Sequence, residues 1–169
     1  MPIPFFSFKE LIYEALATPA WKATAGMPPF SVANEGLIIS ALADPFQTAG
    51  GLDLYPTVPA KAACLFRGLV KNHGLADGNK RMAVTAMSIF LLMNGWHPKY
   101  SNNQLYRYAL RVAEHEGAYP VDAIERWIRR NSHLMPPDEL AEQRQFLLGL
   151  RQSVGGDFIA ISFPRSERE

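Results

Sequence analysis

His73-Gly74-Leu75-Ala76-Asp77-Gly78-Asn79-Lys80-Arg81 sets an imidazole, a carboxylate, an amide and two cations around a glycine, between the apolar runs Ala62 to Val70 and Met82 to Met93. Runs of that length and character predict two buried helices, so the nine residues read as a short, highly charged loop at a core junction. Gly78, followed by polar donors at the head of the second helix, leaves backbone N–H groups unpaired at the positive end, where an oligophosphate can sit. Lys80 and Arg81 add mobile positive charge. Asp77 offers the oxygen that magnesium prefers to nitrogen or sulfur. His73 is the side-chain type suited to taking a proton near neutral pH. A solvated turn with an incidental histidine is the bland alternative. Charge concentrated where two core helices meet favours a site.

These residues carry a resemblance. The run resembles the signature H-x-F-x-[D/E]-G-N-x-R of the Fic/Doc (Fido) superfamily, with His73, Asp77, Gly78, Asn79 and Arg81 on the pattern. Lys80, where Fic enzymes usually have glycine, resembles the death-on-curing (Doc) branch. The flanks are similar too: Asn34-Glu35-Gly36-Leu37 through Asp44-Pro45, Gly51 to Thr57, Lys61-Ala62-Ala63, and Phe90-Leu91 to Asn94-Gly95. The likeness runs from about Asn34 to Arg130. It implies a compact all-α bundle of six to seven helices with a small β-hairpin flap. The implied activity is transfer of a phosphoryl group from ATP, with Mg2+, to a hydroxyl of a target protein. The implied partners are a cognate antitoxin and, as target, elongation factor Tu, whose modification would inhibit translation. In that scheme His73 is the general base, Asp77 holds the metal, and Gly78, Asn79, Lys80 and Arg81 bind the phosphates. A flap containing Thr48, Gly50, Gly51 and Leu52 would hold the target as an added strand.

Three positions depart from the family pattern. Leu75 replaces the usual phenylalanine and is expected to anchor the loop in the core with less area. Met82 follows the arginine where threonine is common, a packing change. Val84 stands where Fic adenylyltransferases carry a second arginine, which, with Lys80, favours delivery of the terminal phosphoryl group over adenylyl transfer. Nucleotidyl transfer on the same fold and a catalytically silent Fido module are the competing readings.

Composition is compatible with this. A chain of 169 residues with 48% hydrophobic and 20% charged content suits a soluble domain with a real core. The net charge of +1 lacks the basic excess of a phosphate-neutralising nucleic-acid binder. No signal peptide or bilayer-spanning stretch is read, so the expected location is cytoplasmic, without a membrane or direct nucleic-acid partner. Cys64 lies in an apolar helical run and reads as a small buried hydrophobe. His97, His115 and His133 lack ligand-like spacing, so no zinc site is expected.

Helical signals dominate the chain. Ser7-Phe8-Lys9-Glu10 is a capping box opening a helix to about Ala17, followed by a loop from Pro19 to Val32. Asn34 caps a helix to about Ala43, and Thr57 caps the next, with Pro59 in its first turn. The helix after the phosphate loop runs to Asn94 with Gly95 as left-handed cap. Ser101 to about Glu116 and Pro120 to Arg130 are further helices. Phe46 to Tyr55, with Gly50-Gly51 between extended pieces, fits a hairpin, a plain loop being the alternative. The expected division is a Fido domain over residues 1–130 and a C-terminal extension over 131–169. That extension would contain a helix from Asp138 to about Ser153 and a strand at Asp157 to Phe163, paired with Ile3 to Phe6 or used for dimerisation or antitoxin docking. Ser31 to Gly36 loosely fits a self-inhibitory glutamate pattern, but Glu35 reads more simply as a charge favourable to the helix dipole.

Overall fold

The computed structural model describes residues 32–115 and 117–142. The expected capping-box helix at Ser7, the following loop as far as Ser31, the strand at Asp157 to Phe163 and its pairing with Ile3 to Phe6 lie outside these residues. Within them the chain is mainly helical: α1 (Glu35–Ala43), a 3₁₀ turn (Asp44–Phe46), a hairpin of β1 (Thr48–Ala49) and β2 (Leu52–Asp53), then α2 (Val58–Lys71) and α3 (Asn79–Met93). After these come β3 (Trp96–Pro98), α4 (Asn102–Glu114), α5 (Val121–Arg130) and β4 (Ser132–Leu134). The chain is helical again over 137–142, where the expected helix from Asp138 begins before leaving the described region.

The helix starts follow from their caps. The Asn34 side chain accepts from the Leu37 N–H, and Thr57 accepts from the Ala60 N–H with Pro59 in the first turn. Ser101 and Gln104 form a reciprocal capping box on α4. Gly95 follows α3 at φ 77, as expected of a left-handed cap.

α2 and α3 form the centre and pack most extensively on each other. Phe66, Leu69 and Val70 of α2 and Met87 and Leu91 of α3 are buried. Ile38 and Leu42 of α1, Leu105 and Val112 of α4, and Ile124 and Ile128 of α5 close around them. Each such side chain contributes about 1.5 to 3 kcal/mol of transfer free energy. Gly68 allows α1 to approach α2 closely: a Cβ there would lie 3.0 Å from the Ala41 Cβ. On the far side Tyr108 stacks on Trp127 with ring centroids 4.2 Å apart, joining α4 to α5.

One element was not expected. β3 and β4 pair antiparallel, with Trp96 opposite Leu134, His97 opposite His133 and Pro98 opposite Ser132. Just past residue 130 the chain therefore stays hydrogen-bonded to the end of α3, and the Met135 N–H donates to the Gly95 carbonyl at 2.8 Å.

Candidate functional site

The loop between α2 and α3 is built by hydrogen bonds to α1 and to itself. α2 ends at Asn72, whose N–H donates to the Gly68 carbonyl at 2.8 Å and whose side-chain amide donates to the Leu37 carbonyl at 3.1 Å. His73 follows at φ 50, a left-handed conformation that non-glycine residues adopt at a cost. The next carbonyl, that of Gly74, accepts from both the Ala33 N–H (3.0 Å) and the Asn34 N–H (2.9 Å). Gly74 is buried so tightly that a Cβ would stand 2.4 Å from Ile38 Cγ1. The imidazole of His73 is thus carried exposed on a backbone fixed from both sides.

Leu75 is buried, as expected of the residue that anchors the loop, and bridges to Val32. Asn79 closes the turn: its Oδ1 accepts from the Leu75 N–H and its Nδ2 donates to the Leu75 carbonyl, both at 2.8 Å. Asp77 Oδ1 accepts from the Gly78 N–H at 2.6 Å, and Asp77 Oδ2 lies 3.0 Å from Arg81 Nη2. That ion pair is partly exposed and so worth well under about 1 kcal/mol, weak enough for either partner to be redirected to a ligand. Gly78, at φ 89, turns the chain into α3 without a side-chain cap, so the first N–H groups of the helix keep their donor capacity. Lys80 and Arg81 lie half-buried on that first turn.

The loop therefore brings His73, Asp77, Gly78, Asn79, Lys80 and Arg81 together at one helix N-terminus, as the sequence suggests. The amide of Asn79 is committed to the loop backbone. The sequence did not identify Asn72, Ala33 and Asn34 as supports of the loop, because contacts between α1 and residues 72–74 leave no periodic trace. Met82 and Val84 are both buried, consistent with packing roles.

The hairpin forms where Gly50-Gly51 placed it. Thr48 pairs with Asp53 and Ala49 with Leu52, while Gly50 and Gly51 take φ 59 and 81, the geometry of a tight primed turn. Thr48, Gly50, Gly51 and Leu52 are all exposed, Leu52 at 76%. Lys61 of α2 holds the hairpin base: its ammonium lies 2.7 Å from Asp53 Oδ2, donates to the Pro45 carbonyl at 3.3 Å and sits 5.4 Å from the centroid of the Phe46 ring.

Among the described residues no group of three or more His, Cys, Asp or Glu is placed to enclose a metal ion. Asp77 is a lone exposed carboxylate. That fits an octahedral magnesium taking its other ligands from phosphate and water, and does not fit an all-protein cage. Away from the loop, His97 and His133 stack at 5.3 Å, with His97 Nδ1 2.6 Å from Glu139 Oε1. Cys64 is buried, and burial raises its thiol above the ordinary range. Glu35 is exposed in the first turn of α1.

The model of the Fic/DOC family matches residues 10–91 of the chain. The matched segment contains the hairpin, α2, the loop from His73 to Arg81 and most of α3. A protein named Toxin Doc from Mycolicibacterium smegmatis is 45% identical over 76 residues, a stretch covering 43% of this chain and 58% of that protein. The chain thus spans less than two thirds of the length of the curated relative it matches. No solved structure matches. Among the described residues no helix is long and apolar enough to cross a membrane.

Proposed function

We propose that this chain is a Doc-like toxin, paired with a cognate antitoxin, that transfers the terminal phosphoryl group of ATP to a hydroxyl of a target protein and so inhibits translation. The observation that carries this reading is the loop itself: an exposed His73 on a fixed backbone beside an uncapped helix N-terminus bearing Lys80 and Arg81. The similarity to a protein named Toxin Doc supports it.

In this reading the target hydroxyl loses its proton to His73 as its oxygen bonds to the terminal phosphorus. The bond from that phosphorus to the bridging oxygen breaks, and ADP leaves with the electron pair. Removal of the base is expected to cost about 10² to 10⁴ in rate. The first N–H groups of α3, Lys80 and Arg81 balance the charge developing on the transferred group. Asp77 would hold magnesium, which neutralises phosphate oxygens when bound. Asn79 keeps the phosphate-facing turn closed by its two bonds to Leu75. The exposed hairpin offers an edge to which the target's backbone adds as a strand. Buried Val84 puts no second arginine on α3, which supports phosphoryl over adenylyl transfer.

Elongation factor Tu is the first target to test. In a cell-free translation extract with ATP and magnesium the intact chain should stop protein synthesis and His73→Ala should not. Label from γ-labelled ATP should appear on the target. Label arriving from α-labelled ATP instead would move the reaction to nucleotidyl transfer.

A further inference from the structure

α5 neutralises two of its three arginines, the third, Arg130, donating to the Arg126 carbonyl. Arg126 pairs with Asp122 at 2.7 Å and Arg129 with Glu125 at 2.8 Å, each with an acid one turn before it, the favourable order on a helix. α4 is built differently. One turn before Arg107 stands Asn103, and one turn before Arg111 stands Arg107 itself, so neither guanidinium has an acid in that position. Among the described residues neither lies within ion-pair distance of a carboxylate. Both arginines line an open groove of about 580 Å³ between α4 and α5, with Leu110 and Trp127 as its apolar side and Glu114 at one end. The Tyr108–Trp127 stack fixes that apolar side, and the Arg111 guanidinium lies 5.6 Å from the centroid of the Tyr108 ring.

We infer that this groove docks an acidic segment of a partner protein, with carboxylates on Arg107 and Arg111 and an apolar side chain between them against Leu110 and Trp127. The spacing supports it, because residues one turn apart on a helix have Cβ atoms about 5 to 6 Å apart and lie on one face, so two guanidinium forks can meet two carboxylates on one peptide. An aromatic beside arginines is also the composition that concentrates binding energy at protein interfaces. Nucleic acid is the poorer occupant: the chain carries a net charge of only +1, and a phosphate backbone has no counterpart for the Leu110 and Trp127 side. The groove is lined by α4, α5 and Asn131 and includes no residue of the loop from His73 to Arg81, so peptide binding there is read without the reaction proposed above.

The test is fluorescence anisotropy of the full chain with a fluorescein-labelled peptide of glutamate and leucine at helical spacing, beside the same peptide with lysine for glutamate. The acidic peptide should bind, more weakly as salt is raised, and the lysine peptide should not. Arg107→Glu with Arg111→Glu should weaken binding at least about tenfold, the scale of one lost charge-assisted contact. Both positions are exposed, and an unchanged circular dichroism spectrum establishes that the variant is folded. Glu114→Gln, which removes the opposing charge, should tighten binding. Equal binding of both peptides, or undiminished binding by the folded double variant, would overturn the inference, as would tighter binding of a labelled oligonucleotide than of the acidic peptide.

Discussion

Gly74 has no room for a methyl group, since Ile38 Cγ1 stands 2.4 Å and the Asn34 carbonyl oxygen 3.2 Å from where a Cβ would lie. Gly74→Ala should therefore destabilise the fold by about 1 to 3 kcal/mol, the usual cost of overpacking, seen as a lower urea midpoint at unchanged slope. Because the Gly74 carbonyl takes two hydrogen bonds from residues 33 and 34, the same change should misplace His73 and reduce target modification even in the folded fraction. Asn79 makes a second residue-scale prediction. Asn79→Ala leaves the buried Leu75 backbone without its two partners and should cost about 1 to 3 kcal/mol in thermal or urea unfolding. Asn79 was legible in the sequence as a member of the motif. Its hydrogen bonding was not, because a motif gives residue types and spacing and leaves open whether an amide faces a ligand or its own backbone.

At the scale of elements, local chemistry explains what the sequence predicted and what it missed. Asn34, Thr57 and Ser101 announced their helices because each cap closes within three residues. The Gly50-Gly51 turn was equally local, since two adjacent positive φ values select glycine. It yields a prediction: Gly51→Val strains the turn by about 1 to 2 kcal/mol, and because a Cβ at this exposed tip meets nothing within 4 Å, the core should be spared. Target modification should fall while the melting temperature drops by no more than the several degrees this strain accounts for, and a much larger drop would show that the hairpin carries the fold. β3 and β4 were missed for the opposite reason. Each has three residues, one holds Pro98, and they meet only because α4 and α5 return the chain to the end of α3.

For the whole molecule, the α2–α3 pair was legible because nearly all of its core is written in two continuous apolar runs. α4 and α5 were legible as helices, but the stacking of Tyr108 on Trp127 that joins them was not, because it depends on the tertiary arrangement. That burial has a consequence at high pH. Tyr100 and Tyr108 are both pushed up to about 12, chiefly by desolvation, with the Ser88 hydroxyl opposing the shift at Tyr100. The ordinary phenol value is about 10. The folded chain thus holds these protons more tightly than the unfolded chain does, so their contribution to stability is full below about pH 10 and is lost as pH rises through about 12. Ultraviolet titration of the tyrosines should show these two ionising only as circular dichroism reports unfolding, and ionisation of all of them near 10 in folded protein would contradict the buried placement.

Transfer of a phosphoryl group by the loop from His73 to Arg81 leaves a mass change on the protein that receives it. Intact-mass spectrometry of elongation factor Tu, and of a host lysate, after incubation with this chain, ATP and magnesium tests it most directly, with His73→Ala alongside. One phosphate should be gained on a protein in the presence of the intact chain and none with His73→Ala. An adenylyl-sized gain, or no gain on any protein, would contradict it.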